Sequence, residues 1–186
     1  MTGSGRLVVL AGPSGVGKGS VIAAVRRRHP HVWVSTSVTT RQPRPGERDG
    51  VDYLFVDQEA FDQLVDTGQL LEHDAHLSAS YGTPRKPVEE QLATGAAALL
   101  EIDLQGARQV RAAMPEALLV FLAPPSFEEL ARRLVDRGTE DEAKVRQRLD
   151  LARVELAAEN EFDVVVVNDD VERAADALVA LLSPES

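Results

Sequence analysis

Hydrophobic positions along this chain fall into short, largely unbroken runs separated by amphipathic stretches. Leu7-Val8-Val9-Leu10 and Ala117 to Leu122 are continuous apolar runs of strand length, and Ala96 to Ile102 and Phe162 to Val167 are apolar apart from Glu101 and Asp163, the pattern of buried strands in a parallel sheet. Between them the period becomes helical. Val21, Ile22 and Val25 share one face, and Arg26-Arg27-Arg28 before His29-Pro30 reads as a basic last turn and a stop. Val32-Trp33-Val34 is expected to form a short second strand with Trp33 in the core. Asp57 caps a helix whose apolar side is Phe61, Leu64 and Val65, and Pro84 opens another through Val88 and Leu92 to Gly95. Gly106 to Met114 is a further helix. Ser126 with Glu129, and Thr139 with Glu142, have capping-box spacing; the second of these helices carries the apolar line Val145, Leu149, Ala152, Leu156. A closing helix runs through Leu182. Strands alternating with helices predict an α/β fold, a parallel-sheet core with helices on both faces. Tyr53 to Val56, Leu70 to Ala75 and Ser80 to Thr83 add short strands in a mixed middle region, and Ser37 to Arg48, broken by proline and glycine, is a loop.

Composition narrows the function classes. At 186 residues the chain can bury one sizeable core, and without cysteine it has neither disulfides nor thiolate metal sites. No apolar run is membrane-length or signal-like, so a cytoplasmic protein is expected. A net charge of -10 argues against general affinity for nucleic acid or membrane surfaces, leaving positive charge to act locally. Nearly all of that charge is arginine; the lysines are Lys18, Lys86 and Lys144. His73 and His76 lack a zinc-like spacing, so no metal site is assigned to them. Oligomeric state stays open.

The chemistry begins at Gly12-Pro13-Ser14-Gly15-Val16-Gly17-Lys18-Gly19-Ser20, directly after the first apolar run. Strand, glycine-rich turn and helix start together aim backbone N–H groups at a polyphosphate, and Lys18 adds a point charge. Gly19 stands where Ser or Thr is usual and the hydroxyl arrives at Ser20, so no direct magnesium ligand is assigned. Arg41, Arg44 and Arg48, beside hydroxyls in the Ser37 to Arg48 loop, suit a second phosphate-bearing substrate. Asp103 ends a buried strand at the edge where such sheets hold ligands. Arg133 and Arg137 lie one turn apart, and Arg146 and Arg148 follow on the next helix, an arrangement fitting a hinged lid over phosphates.

These blocks, with SVTTRQPRPGERDGVDY at 37–53, YGTP at 81–84, LEIDLQG at 100–106, RGT at 137–139 and VNDD at 167–170, give a chain that resembles the guanylate kinases from about Arg6 to Leu182. The resemblance implies a P-loop core (1–35, 96–125 and 156–186), an inserted GMP-binding α+β domain (36–95) and a helical lid (126–155). It implies ATP and GMP as substrates and Mg²⁺ carried on ATP, with Ser20 and Glu101 as outer-shell contacts. By motif position, Ser37, Glu72 and Thr83 look like guanine contacts, and Arg41, Arg44, Tyr53 and Tyr81, with Gly82 beside them, like the GMP-phosphate site. Glu101 and Asp103 would lie near the reacting phosphates and the GMP, and Asn168 on the adenine side. Lys18, Arg133, Arg137 and Arg148 would neutralise the transferring group. The stretch from His76 to Ser80 departs from the Gly-Asn-Tyr-like turn frequent in the family. Two other readings remain in view: a guanylate-kinase-like interaction module without catalysis, and a P-loop kinase acting on a phosphorylated sugar. An intact P-loop and lid arginines speak against the first, Glu72 and Thr83 against the second.

Overall fold

A computed structural model describes residues 5–75, 78–135 and 141–183. Among them a parallel core sheet is built from β1 (Leu7–Ala11), β6 (Ala98–Glu101), β7 (Leu118–Ala123) and β8 (Val164–Val167), in the order β6-β1-β7-β8. A second sheet, ordered β3-β2-β5-β4, comprises β2 (Val38–Thr39), β3 (Leu54–Phe55), β4 (Leu70–Ala75) and β5 (Ser80–Pro84); here β5 runs antiparallel to both neighbours. The helices are α1 (Lys18–Arg28), α2 (Gln58–Asp66), α3 (Arg85–Ala93), α4 (Leu104–Ala113), α5 (Phe127–Val135), α6 (Glu142–Ala157) and α7 (Val171–Ala180). No helix among the described residues is long and apolar enough to cross a membrane.

The apolar runs form strands because both faces of the core sheet are covered. Along β1, Val8 and Leu10 pack with Val21 and Val25 of α1 and Leu178 of α7. Leu7, Val9 and Ala11 pack on the other face with Ala107 and Val110 of α4 and Val88 and Leu92 of α3. Each fully buried side chain of this size stabilises the fold by about 1.5–3 kcal/mol. Arg28 pairs with Glu172 and Asp176, and Arg27 with Glu172, so the basic end of α1 is tied to α7.

Two local expectations change. The segment 32–34 forms only a single bridge, Val34 to Leu99, made by the Leu99 N–H donating to the Trp33 carbonyl and the Ser35 N–H to the Leu99 carbonyl. Trp33 packs, partly buried, against the core. The run 162–167 is not wholly buried: β8 is the outer strand of its sheet, and Val165 and Val167 stay 42% and 47% exposed. The caps at Asp57 and Ser126 form, each accepting from the backbone N–H three residues on. Thr139 lies outside the described residues, and α6 begins after Asp141 without a side-chain cap.

Candidate active site

The turn from β1 into α1 is fixed by contacts that exclude larger residues. A Cβ on Gly12 would fall 2.5 Å from the Leu122 carbonyl oxygen. Gly17 caps α1 with φ 99°, left-handed backbone that glycine adopts without strain, and a Cβ there would meet Asn168 Nδ2 at 2.7 Å. Asn168 follows β8, is 2% exposed, and donates from Nδ2 to the Val16 carbonyl at 2.9 Å. Its Oδ1 is buried without a hydrogen-bond partner. Lys18 folds over the loop, donating from Nζ to the Gly12 carbonyl at 2.7 Å. Burial pushes the Lys18 ammonium below its ordinary range, opposed by Glu101, Glu155 and Asp103. The Ser14 N–H donates to Glu155 Oε2 of α6 at 3.0 Å, so a carboxylate oxygen stands where this loop would take a phosphate oxygen.

A cleft of about 1040 Å³ runs from this loop to the second sheet. Ser14, Lys18 and Gly19 lie at one end; Ser37, Tyr53, Tyr81 and Gly82 at the other; Glu72, Glu101 and Asp103 line it as well. Glu101 ends β6, and Asp103, two residues on, caps α4 by accepting the Gly106 N–H at 2.8 Å. Glu72 is 5% exposed. A bulge between Leu70 and Glu72 sets it opposite Thr83, whose hydroxyl donates to Glu72 Oε1 at 2.6 Å. Burial raises the Glu72 carboxyl to about 7 against the opposing Thr83 hydrogen bond, with Asp103 and Asp74 adding to the rise. Burial also raises Glu101, which Lys18 and Arg26 oppose, and Tyr53.

Arg41 is held rather than open. Its guanidinium donates to both Glu47 carboxylate oxygens at 2.9 and 3.0 Å and lies 5.2 Å from the Tyr53 ring centre. Hydrogen bonding from Arg41 keeps the Glu47 carboxyl below its usual range. Arg44 is exposed beside it, its backbone N–H donating to the same Glu47 at 2.8 Å.

A smaller recess of about 370 Å³ opens on the other side of the loop, lined by Gly15, Gly17, Ser20, Arg133 and Asn168 with Leu134, Asp169 and Val171. Arg133 reaches the Val16 carbonyl at 3.2 Å, and Arg148 contacts the Leu134 carbonyl at 3.5 Å. Arg137 lies outside the described residues. Among the described residues no group of three or more His, Asp or Glu could hold a metal ion.

Most residues expected from the motifs therefore line one of these two spaces, while Arg41, Arg44, Thr83 and Arg148 are not among the lining residues of either. The reading by motif missed Glu47, Glu155, Gly106 and Gln109. Glu47 stands in the quoted arginine block and Gly106 closes another, whereas Glu155 and Gln109 have no local signal and act across the fold.

The guanylate kinase family model matches residues 4–185. The guanylate kinase of Frankia casuarinae is 62% identical over 95% of this chain and 96% of its own, and that of Thermobifida fusca 60% identical over 97% and 92%. The crystal structure of guanylate kinase from Anaplasma phagocytophilum superposes with a TM-score of 0.75 at 36% identity, covering 96% of this chain and 85% of that one. With a P-loop at one end of its cleft and a buried carboxylate–hydroxyl pair at the other, and with relatives matching along nearly its whole length, the chain belongs to the guanylate kinase family, enzymes that phosphorylate nucleoside monophosphates.

Proposed function

We propose that the chain transfers the γ-phosphoryl group of ATP to the phosphate of GMP, giving ADP and GDP. An oxygen of the GMP phosphate attacks the γ-phosphorus as its bond to the β–γ bridging oxygen breaks, and that oxygen leaves with ADP. The attacking phosphate is already anionic at neutral pH, so no protein base is needed. Holding two mutually repelling anions in line is the protein's main task.

The loop Gly12 to Ser20 would cradle the ATP phosphates on backbone N–H groups, displacing Glu155 from Ser14. Asn168 and the recess behind the loop would receive the adenine side, where the unpartnered Oδ1 can accept from an exocyclic amine. Lys18, Arg133, Arg137 and Arg148 would neutralise the transferring group. Guanine would sit against Glu72, Thr83 and Ser37, and its phosphate against Arg41, Arg44, Tyr53 and Tyr81. Tyr81 and Gly82 line the same cleft as Glu101 and Asp103, and on this reading the two acids would lie between the substrates. Mg²⁺ would be held chiefly by the ATP phosphates, with Ser20 and Glu101 around it, and supplies neutralising charge. Residues 36–95 then act as the GMP-binding part, 126–155 as the lid and the remainder as the core. A cytoplasmic setting, where both nucleotides circulate, goes with this reading.

One observation carries the proposal: a buried carboxylate with a hydroxyl fixed beside it, in the same cleft as the P-loop lysine. Guanine offers N1–H and N2–H side by side to such a carboxylate, whereas adenine would bring its N1 acceptor against it. ADP release measured with GMP, AMP, CMP, UMP and a blank should be strong with GMP and near background otherwise. Lys18→Ala should lower kcat by roughly 10²-fold or more while the protein stays folded. Equal rates on AMP and GMP would refute the acceptor, and near-normal turnover in the lysine variant would refute its role.

A further inference from the structure

We propose that Gly106 and Gln109, three residues apart on α4, set the position of Glu72 and so control discrimination between guanine and a purine lacking the 2-amino group. This rests on the reading of Glu72 as the guanine contact.

A Cβ built on Gly106 falls 2.4 Å from Glu72 Oε2 and 3.0 Å from its Cδ, with Asp103 Oδ1 next at 3.3 Å. The carboxylate thus occupies the space that a side chain at 106 would fill. Backbone conformation does not demand glycine here, since Gly106 lies within α4 and has no positive φ. Alanine would be the better helix former at this position. What glycine provides is room for one particular carboxylate. The atoms that would have to yield are the far end of the Glu72 side chain, so a methyl group can be accommodated by moving the carboxylate instead of the fold. The Gly106 N–H also donates to Asp103 Oδ1, placing the second acid of the cleft from the same residue.

Gln109 fixes the strand that carries Glu72. Its Nε2 donates to the His73 carbonyl at 2.7 Å, and the His73 N–H donates to its Oε1 at 3.0 Å. β4 is the outer strand of its sheet, so the side-chain amide serves as a rung on that edge. It ties the residue after Glu72 to a helix of the core. With Thr83 donating to Oε1 from across the second sheet, Glu72 is held at one oxygen and at the adjoining backbone, while Oε2 lies in the space that glycine leaves at 106. Parallel N1–H and N2–H bonds to guanine need that placement. Hypoxanthine has only N1–H, so it loses less when the carboxylate shifts.

The test measures kcat and KM for GMP and IMP at saturating ATP in the full-length parent, Gly106→Ala, Gln109→Leu and Glu72→Gln, with a melting temperature for each. Gly106→Ala should melt at or above the parent. Its kcat/KM for GMP should fall roughly tenfold or more, mainly through KM, while that for IMP changes less than about threefold and KM for ATP holds. Gln109→Leu, similar in size but without the paired hydrogen bonds, should lower the GMP-to-IMP ratio by about threefold or more. A purely structural role would depress both substrates alike and leave the ratio unmoved. If Glu72→Gln collapses the ratio and both α4 variants keep it, the inference is wrong and the guanine reading stands. If Glu72→Gln itself keeps the ratio, the guanine reading fails. Should Gly106→Ala not fold, Gln109→Leu decides alone.

Discussion

Burial pushes the Glu72 carboxyl up to about 7, against the Thr83 hydroxyl and with help from Asp103 and Asp74. The unfolded chain would hold it near 4.5. The folded value is the higher one, so stability gained from keeping the proton is fully present below about pH 4.5 and is lost as pH rises through about 7. The amount at stake is at most about 3 kcal/mol. The proposed guanine contact, by contrast, would use both oxygens as acceptors and hence the ionised form. On that reading, fold and substrate want opposite protonation states. Glu72→Gln keeps an acceptor for Thr83 and cannot ionise, so its stability relative to the parent should rise between pH 5 and pH 8. Urea unfolding at the two pH values checks this, and an advantage of the same size at both would remove the ionisation argument. In the parent, the GMP-to-IMP ratio of kcat/KM should fall as pH drops below 7. The phosphate titration common to both substrates cancels in that ratio.

At the level of single elements, the loop between β1 and α1 separates glycines that the geometry requires from one it does not. Gly17→Ala would force a left-handed residue and a 2.7 Å contact with Asn168 Nδ2, breaking its tie to Val16. It should cost about 1–3 kcal/mol. At Gly19 a Cβ would meet only Glu101 Oε1 at 3.9 Å, so Gly19→Ala should be neutral or stabilise α1 by up to about 1 kcal/mol. Urea titration of the two variants compares them directly, and equal losses would contradict the geometry. This element was readable from sequence because strand, turn and helix start are contiguous and each has its own local signal. The same holds for the caps at Asp57 and Ser126 and for the unbroken apolar run Leu7 to Leu10, buried on both faces of the sheet. Val32 to Val34 has strand-like residues but makes only a single bridge, to Leu99, since the extent of pairing is set across the sheet and not by local composition. The exposure of Val165 and Val167 follows from the position of β8 at the sheet edge, which its composition does not encode. In the candidate site, the local motif yields Lys18, and only the family resemblance points to Glu72 and Asn168. The contacts from Glu155 to Ser14 and from Gln109 to His73 join residues 141 and 36 positions apart and leave no periodic trace.

Across the whole molecule the two sheets differ in what holds them. The core sheet is packed on both faces, with Leu10, Leu99, Phe121 and Leu122 fully buried. The second sheet has a cluster of its own made of Val38, Phe61 and Leu70, with Val56, Leu64 and Val65 partly buried around it. Less apolar area is withdrawn from water there, so opening confined to β2, β3 and β5 should take less free energy than global unfolding. β4 belongs to both regions: Leu70 packs into the small cluster and Leu71 into the core, while Gln109 holds His73. Native-state hydrogen exchange should therefore find the amides of Thr40, Leu54 and Val56, bonded within the second sheet, exchanging faster than those along β1 and β7. Such opening would dismantle the proposed guanine site, so GMP at about 100 times its Kd should slow those amides by up to about 100-fold. ATP alone should leave them unchanged and act on the loop after β1. Uniform protection across both sheets in the free chain would show one cooperative unit, and slowing of the second-sheet amides by ATP as much as by GMP would place the two nucleotides in a shared site.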